Sequence, residues 1–306
     1  MNKLFVYSFY RFVNIKNKSE IKKNIDLLIR NKLVKGTILL SDEGINGSIS
    51  ASKKVLDDII KHIKLLLKIR KLEIKKNDVE FLPFNKIKVR LKKEIVSLGK
   101  DNVIIKNTGK KISPYNWDKI LNDKNIALID TRNQFEIEIG SFKNSINPET
   151  KSFREFPEKF SKLKISKSSK IAMFCIGGIR CEKASSYLKK IGYKNVFQLD
   201  GGILNYLDYK KKFKIKKTEW RGDCFVFDNR VTLNKSLKKG KYIQCYGCRH
   251  PITESDKKLK SYVKGVSCKY CYKKRTKLQL ERSISRQKQI IISEKLGNDH
   301  PFARIS

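Results

Sequence analysis

Ile171-Ala172-Met173-Phe174 runs without a break into Cys175-Ile176-Gly177-Gly178-Ile179-Arg180, and residues 182–190 then read as a helix. An unbroken apolar run of this length marks a strand buried on both faces, which a parallel sheet covered by helices supplies. Strand, glycine loop and helix in that order also form an anion cradle. Gly177 and Gly178 let successive backbone N–H groups turn inward, and the helix N-terminus adds positive potential. A thiol placed there, Cys175, is expected to ionise near neutral pH and to act as a nucleophile. Arg180 adds a fixed charge at the far end of the loop, suited to holding an anionic or polarised group.

Cys175 and Arg180 bracket four residues, one fewer than in cysteine-dependent phosphatases, so the loop is too short for phosphate. It resembles the active-site loop of rhodanese-like domains. Asp130-Thr131-Arg132, Glu136, Gly140, Asn144 and Leu199-Asp200-Gly201-Gly202 fall where that family carries its matching motifs. Asp130 and Arg132 are expected to brace the loop from a neighbouring strand end. Cys181 either packs at the helix start or traps a persulfide or disulfide with Cys175.

Upstream, strand-like runs at 4–10, 37–40, 45–50 and 72–75 alternate with helical patterns near 18–31 and 52–67. The order βαββαβ is ferredoxin-like, of the acylphosphatase kind, and predicts a domain over 1–100. Residues 101–114, with Gly109 and Ser113-Pro114, read as a linker. A rhodanese-like α/β domain with a parallel sheet is expected over 115–212. A small zinc-binding module with a basic helical tail is expected over 213–306.

Cys245-Tyr246-Gly247-Cys248 and Cys268-Lys269-Tyr270-Cys271 carry that module. Two C-x2-C pairs at this separation let two knuckles face one tetrahedral ion, so Cys245, Cys248, Cys268 and Cys271 are read as structural zinc ligands. A pair of redox dithiols is the rival reading. His250 is expected to be a bystander, and Cys224 a packing residue.

The chain has 70 Lys and Arg against 30 Asp and Glu, a formal charge of +40. An AT-rich genome also produces abundant lysine, but an excess of this size draws polyanions, nucleic acid first among them. Tyr246 and Tyr270 are placed to stack on an unpaired base. No stretch reads as a signal peptide or a membrane span, and the odd count of seven cysteines fits a reducing, cytoplasmic setting better than a disulfide framework.

Three further stretches refine the resemblance. Asp42-Glu43-Gly44-Ile45-Asn46-Gly47, Lys86-Ile87-Lys88-Val89-Arg90 and the 175–185 segment CIGGIRCEKAS, with Phe225-Val226-Phe227-Asp228, are similar to the rhodanese-like tRNA uridine hydroxylases. That resemblance implies oxygen-dependent conversion of the wobble uridine of tRNA to 5-hydroxyuridine. It makes Cys175 the essential residue, molecular oxygen a co-substrate and the anticodon stem-loop the partner, with no organic cofactor evident and no protein partner predicted. A rhodanese-type sulfurtransferase with a persulfide on Cys175 is the competing reading, and a non-catalytic RNA-binding adaptor is a third. Glu43 and Asn46 are read as shaping a turn.

Overall fold

The computed structural model describes residues 3–100, 105 and 107–297. Its first part runs β1 (Leu4–Phe12), α1 (Lys18–Ile29), β2 (Lys35–Ser41), β3 (Gly44–Ser52), α2 (Lys53–Leu66) and β4 (Glu73–Val79), the expected βαββαβ order. The strands lie β4-β1-β3-β2 with antiparallel neighbours, and β5 (Ile87–Leu91) adds in parallel outside β2. Most of the Lys86–Arg90 motif is therefore an edge strand.

Period-two alternation splits this sheet into unlike faces. Tyr7, Phe9, Ile38, Leu40, Ile45 and Ile49 point to one side and pack on Ile25 and Ile29 of α1 and Leu56, Ile59 and Ile63 of α2. Burying each such side chain contributes about 1.5–3 kcal/mol, which fixes the register of the strands. The opposite face carries two cross-strand rows. One is Thr37, Ser48, Ser8 and Lys75; the other is Leu39, Asn46, Tyr10 and Glu73.

The second sheet is parallel, in the order β6-β10-β9-β7, from β6 (Lys110–Ile112), β7 (Ile126–Asp130), β9 (Lys170–Phe174) and β10 (Val196–Leu199). Around it lie α3 (Pro114–Asn122), α4 (Gln134–Ile137), β8 (Gly140–Phe142), α5 (Phe156–Ser161), α6 (Ile179–Lys190) and α7 (Gly202–Lys212). Of the stretch read as a linker, residues 101–104 and 106 lie outside the described residues, and Lys110–Ile112 forms the sheet's edge strand through β10.

The packed unit also continues past residue 212. β11 (Trp220–Gly222) pairs antiparallel with β8, and the hairpin of β12 (Cys224–Phe225) and β13 (Thr232–Leu233) follows. Trp220, Cys224, Val226, Leu233 and Leu237 share one core with Trp117, Phe142, Phe174 and Tyr206. The Phe142 ring makes edge contacts with Phe174, Tyr206 and Trp220 at centroid distances of 4.9, 4.9 and 5.2 Å. Charge composition changes near Lys210, but hydrophobic packing continues across that point.

The cysteine pairs follow on a hairpin of β14 (Ile243–Gln244) and β15 (Pro251–Ile252) and on the turns after it. α8 (Lys277–Lys295) starts with a capping box from Thr276 and Gln279. Arg286 of this helix and Arg275 just before it tie it to the module. Arg286 Nη2 donates to the carbonyls of Tyr246 (3.0 Å) and Gly265 (2.8 Å), and Arg275 Nη1 donates to that of Val266 (2.6 Å). Among the described residues no helix is long and apolar enough to cross a membrane.

Candidate active site

Cys175 ends β9, and the chain turns through Gly177 and Gly178 before α6 begins at Ile179. Gly178 has φ of 101°, a conformation L side chains rarely adopt, and a Cβ there would meet the Tyr10 hydroxyl at 3.0 Å. A Cβ on Gly177, in contrast, would meet nothing within 4 Å. The loop carbonyls are held outward by the first turn of α7. Ile203 N–H donates to Cys175 O (2.9 Å) and Leu204 N–H donates to Ile176 O (3.1 Å). Gly202 permits that approach, since a Cβ on it would lie 2.4 Å from Cys175 O. With its carbonyls engaged behind, the loop aims amides at the sulfur: Gly178 N–H donates to Cys175 Sγ at 3.1 Å.

Burial by itself raises the Cys175 thiol. Here it is outweighed by a hydrogen bond from the Cys181 thiol, the Arg180 charge and the amides of Cys181 and Arg180, which bring Cys175 down to about 6. Cys181 moves the opposite way: burial and the neighbouring Cys175 thiolate push its thiol up. The pair thus holds one thiolate and one thiol near neutral pH. Cys224 lies apart in the core, where burial pushes it up to about 12 and its thiol faces Phe225 O at 3.7 Å.

Arg180 has an occupation the sequence did not reveal. Its two outer nitrogens donate to the Glu136 carboxylate at 2.8 and 2.9 Å, with both residues buried. Glu136 is carried on α4, and the turn before it is built by Asp130 and Arg132. Arg132 Nε and Nη2 donate to Asp130 at 2.9 and 2.6 Å, and its remaining reach goes to the carbonyls of Glu136 (3.2 Å) and Gly140 (2.6 Å). Asp130 and Arg132 therefore position Glu136, which in turn orients Arg180 against the loop. The Arg180 charge is largely compensated, so its effect on Cys175 is local.

Cys175 is only 1% exposed, yet it is not sealed in the core. It lies on the floor of a cavity of about 770 Å³ whose walls include Gly177, Arg180, Asp200 and Lys111 and whose roof is the polar face of the N-terminal sheet. Ser8, Tyr10, Asn46, Ser48, Glu73 and Lys75 all line it. Burial keeps the Tyr10 phenol protonated, and its hydroxyl reaches Glu182 at 3.5 Å. Burial also lowers Lys75, against the opposing pull of Asp200 and Asp208. The signal in the sequence was the run of polar residues at every second position of β3 and β4, joined by Ser8 and Tyr10 of β1. An isolated domain would give such a face to water; here it closes a chamber.

The Asp42–Gly47 motif supplies the fastening. Lys183, buried on α6, donates to Glu43 at 2.9 and 2.7 Å, to Glu94 and to the Val96 carbonyl at 3.0 Å. Glu43 also accepts Ile95 N–H at 2.7 Å, and Asn46 Nδ2 donates to Ile95 O at 3.0 Å. Glu43 thus does more than shape a turn: it joins the roof to the helix that bears the loop, while Asn46 holds the neighbouring 95–96 segment that Lys183 also grips. Lys183→Met leaves two carboxylates facing apolar surface, and we expect a loss of about 3 kcal/mol in urea unfolding, within the usual range for breaking a buried pair. An unchanged midpoint would show that the clamp contributes nothing.

The Sγ atoms of Cys245, Cys248, Cys268 and Cys271 lie within 4.8 Å of one another, a group that could hold a metal ion. Cys248 and Cys268 are 3.7 Å apart, and Cys268 and Cys271 3.9 Å. These separations match the edge of a tetrahedral thiolate site, about 3.8 Å for metal–sulfur bonds near 2.3 Å. His250 is not part of the group; its ring stacks on Tyr270 at 4.2 Å and approaches Phe135 at 5.5 Å. One face of Tyr270 is thereby occupied, whereas Tyr246 is exposed.

The family model described as the UPF0176 acylphosphatase like domain matches residues 4–95, and the Rhodanese-like domain model matches 113–208. A tRNA uridine(34) hydroxylase of Pelagibacter ubique is 44% identical over 303 residues, covering 98% of this chain and 98% of its own. Among solved structures, a rhodanese-related protein from Thermoplasma volcanium is 28% identical, covering 33% of this chain and 92% of that one with a TM-score of 0.28. A rhodanese-like domain protein from Staphylococcus aureus is 22% identical, covering 32% and 90%, with a TM-score of 0.28.

Proposed function

Because the chain belongs to the tRNA uridine(34) hydroxylase family, we propose that it converts the wobble uridine of tRNA to 5-hydroxyuridine, with Cys175 as the nucleophile and molecular oxygen as co-substrate. One observation carries the reading: a thiol brought down to about 6 sits on the floor of a chamber of about 770 Å³, large enough for a splayed base.

Uracil C5 does not react with oxygen unaided. The Cys175 thiolate adds to C6, and the π pair moves to C5 and the neighbouring carbonyl, giving an enolate. Lys75 lines the chamber without an ion-pair partner among the described residues, and with the loop amides it stabilises that charge. C5 then bonds to oxygen, and a proton completes a hydroperoxide. Loss of the C5 proton expels the thiolate and restores the ring. Two thiol equivalents reduce the O–O bond, leaving the C5 hydroxyl, one water and one disulfide, so atoms and electrons balance.

The four clustered cysteines would hold zinc, whose part here is structural: it joins two knuckles and so supports α8. The formal charge of +40 supplies the attraction for the anticodon stem-loop, and binding should weaken steeply with salt. The odd count of seven cysteines, four of them in two C-x2-C pairs, goes with a cytoplasmic setting.

The test is mass analysis of tRNA nucleosides. Deleting the gene should remove 5-hydroxyuridine, and purified protein with oxygen and a thiol should restore it to unmodified tRNA. Cyanide-dependent sulfur transfer from thiosulfate without 5-hydroxyuridine formation would favour the sulfurtransferase reading instead.

A further inference from the structure

The turn from Val226 to Val231 faces the chamber, and the chemistry above gives it no work. Val226 N–H donates to Val231 O (2.9 Å), Val231 N–H donates to Asp228 O (2.9 Å), and Val231 takes a φ of 65°. The turn is fastened to the N-terminal domain as well. Asn229 N–H donates to Pro83 O (2.8 Å), and its Nδ2 donates to Asn85 Oδ1 (2.9 Å). Phe227, Asp228 and Arg230 line the chamber that holds Cys175.

Arg230 is 5% exposed. Its Nε and Nη2 donate to the two oxygens of Asp228 at 2.9 and 2.6 Å, but its Nη1 is buried with no acceptor. Buried donors are nearly always paired, so one left open beside a cavity points to a partner that arrives with a ligand. Phe227 presents the reverse anomaly, a large apolar ring 62% exposed at the chamber. Phe225 supports it edge-on at 5.0 Å, and Arg180 Cζ lies 5.7 Å from its centre.

We propose that this turn reads the target base: the uracil ring stacks on Phe227, and one of its carbonyl oxygens accepts a hydrogen bond from Arg230 Nη1. The inference rests on the reading of the chamber as the uridine site. A guanidinium can donate to a carbonyl or to a phosphate, and Asp228 decides between them. Paired fork to fork with a carboxylate, Arg230 keeps a directed N–H but little net charge, which suits a neutral oxygen.

The experiment uses the full chain and an anticodon stem-loop with uridine at the target position, reading kcat/KM for 5-hydroxyuridine and the salt dependence of binding. Arg230→Gln should lower kcat/KM by about 10- to 100-fold, as for loss of a charge-assisted hydrogen bond, with the salt slope unchanged. Phe227→Ala should lower it about 10-fold, and Phe227→Tyr should restore it. A salt slope reduced by about one in Arg230→Gln means a phosphate contact and overturns the assignment. Wild-type kcat/KM in both folded variants overturns it too. If Arg230→Gln fails to fold, Phe227→Ala decides together with stem-loops carrying 2-thio- or 4-thiouracil: one sulfur substitution should reproduce the loss in wild-type protein, and no loss from either overturns the hydrogen bond. An inactive wild type would sink the hydroxylase reading alone. The turn would then be tested by binding, with uridine-bearing stem-loops expected to lose to abasic ones any advantage in the Phe227→Ala protein.

Discussion

Cys175→Ser should reduce 5-hydroxyuridine formation below about one thousandth of wild type, since a hydroxyl in the same cradle is not ionised near neutral pH and cannot add to C6. The fold should survive, because serine replaces sulfur by a smaller atom in a loop whose carbonyls are held by Ile203 and Leu204. The pH dependence provides a second reading of the same cause. A free thiol near 8.5 is about 3% thiolate at pH 7, whereas one at about 6 is about 90% thiolate. The nucleophile is the deprotonated form, so alkylation of Cys175 by iodoacetamide should be near its maximum at pH 7 and fall as pH drops through about 6. Cys181, held as the thiol, should resist over that range. If Cys175 alkylated only above pH 8, the cradle would not be ionising it, and the proposed addition would lose its driving force.

How far that site can be read from the chain depends on the distance in sequence over which each part is assembled. The strand, the two glycines and the helix start form one continuous segment, so residues 171–190 declare the loop by local pattern alone. Two C-x2-C pairs declare their cluster for the same reason, and the βαββαβ order follows from periodicity. What the pattern hides is pairing between remote segments. Lys183 meets Glu43 across 140 positions, and Arg180 meets Glu136 across 44. Neither contact leaves a periodic trace, so the sequence offered Arg180 as a free cation and Glu43 as a turn residue. The roof is hidden in a different way. Ser8, Tyr10, Asn46 and Lys75 alternate as a solvent-facing strand pattern would, and only docking onto the loop turns that face into a cavity wall. Residues 220–237 sit in charged surroundings that give no hint of their packing, and yet Trp220 and Leu233 share a core with Phe142 and Phe174.

The four-cysteine cluster should show the other large effect, centred on one part of the chain. The core around the cysteine pairs is Cys245, Ile252, Cys268 and Cys271, with a few half-buried neighbours. So small a core does not by itself offset the backbone entropy of ordering 243–272. Four thiolates on one ion are the crosslink that a module with so small a core requires. Removing the ion with a strong chelator, or Cys268→Ser, should therefore unfold 243–272 while the two α/β sheets persist, giving a separate early transition on heating. α8 should be released with it, because Arg275 and Arg286 are anchored on carbonyls of that module. We expect hydrogen exchange protection to vanish over 243–295 and tRNA affinity to fall at least about 10-fold as those basic residues lose their common orientation. The effect should also reach the Cys175 loop, for His250 stacks on Tyr270 and abuts Phe135, the residue beside Glu136. Retained protection in metal-free protein, with mass lowered by disulfide formation between the pairs, would show instead that the four thiols serve as a redox centre.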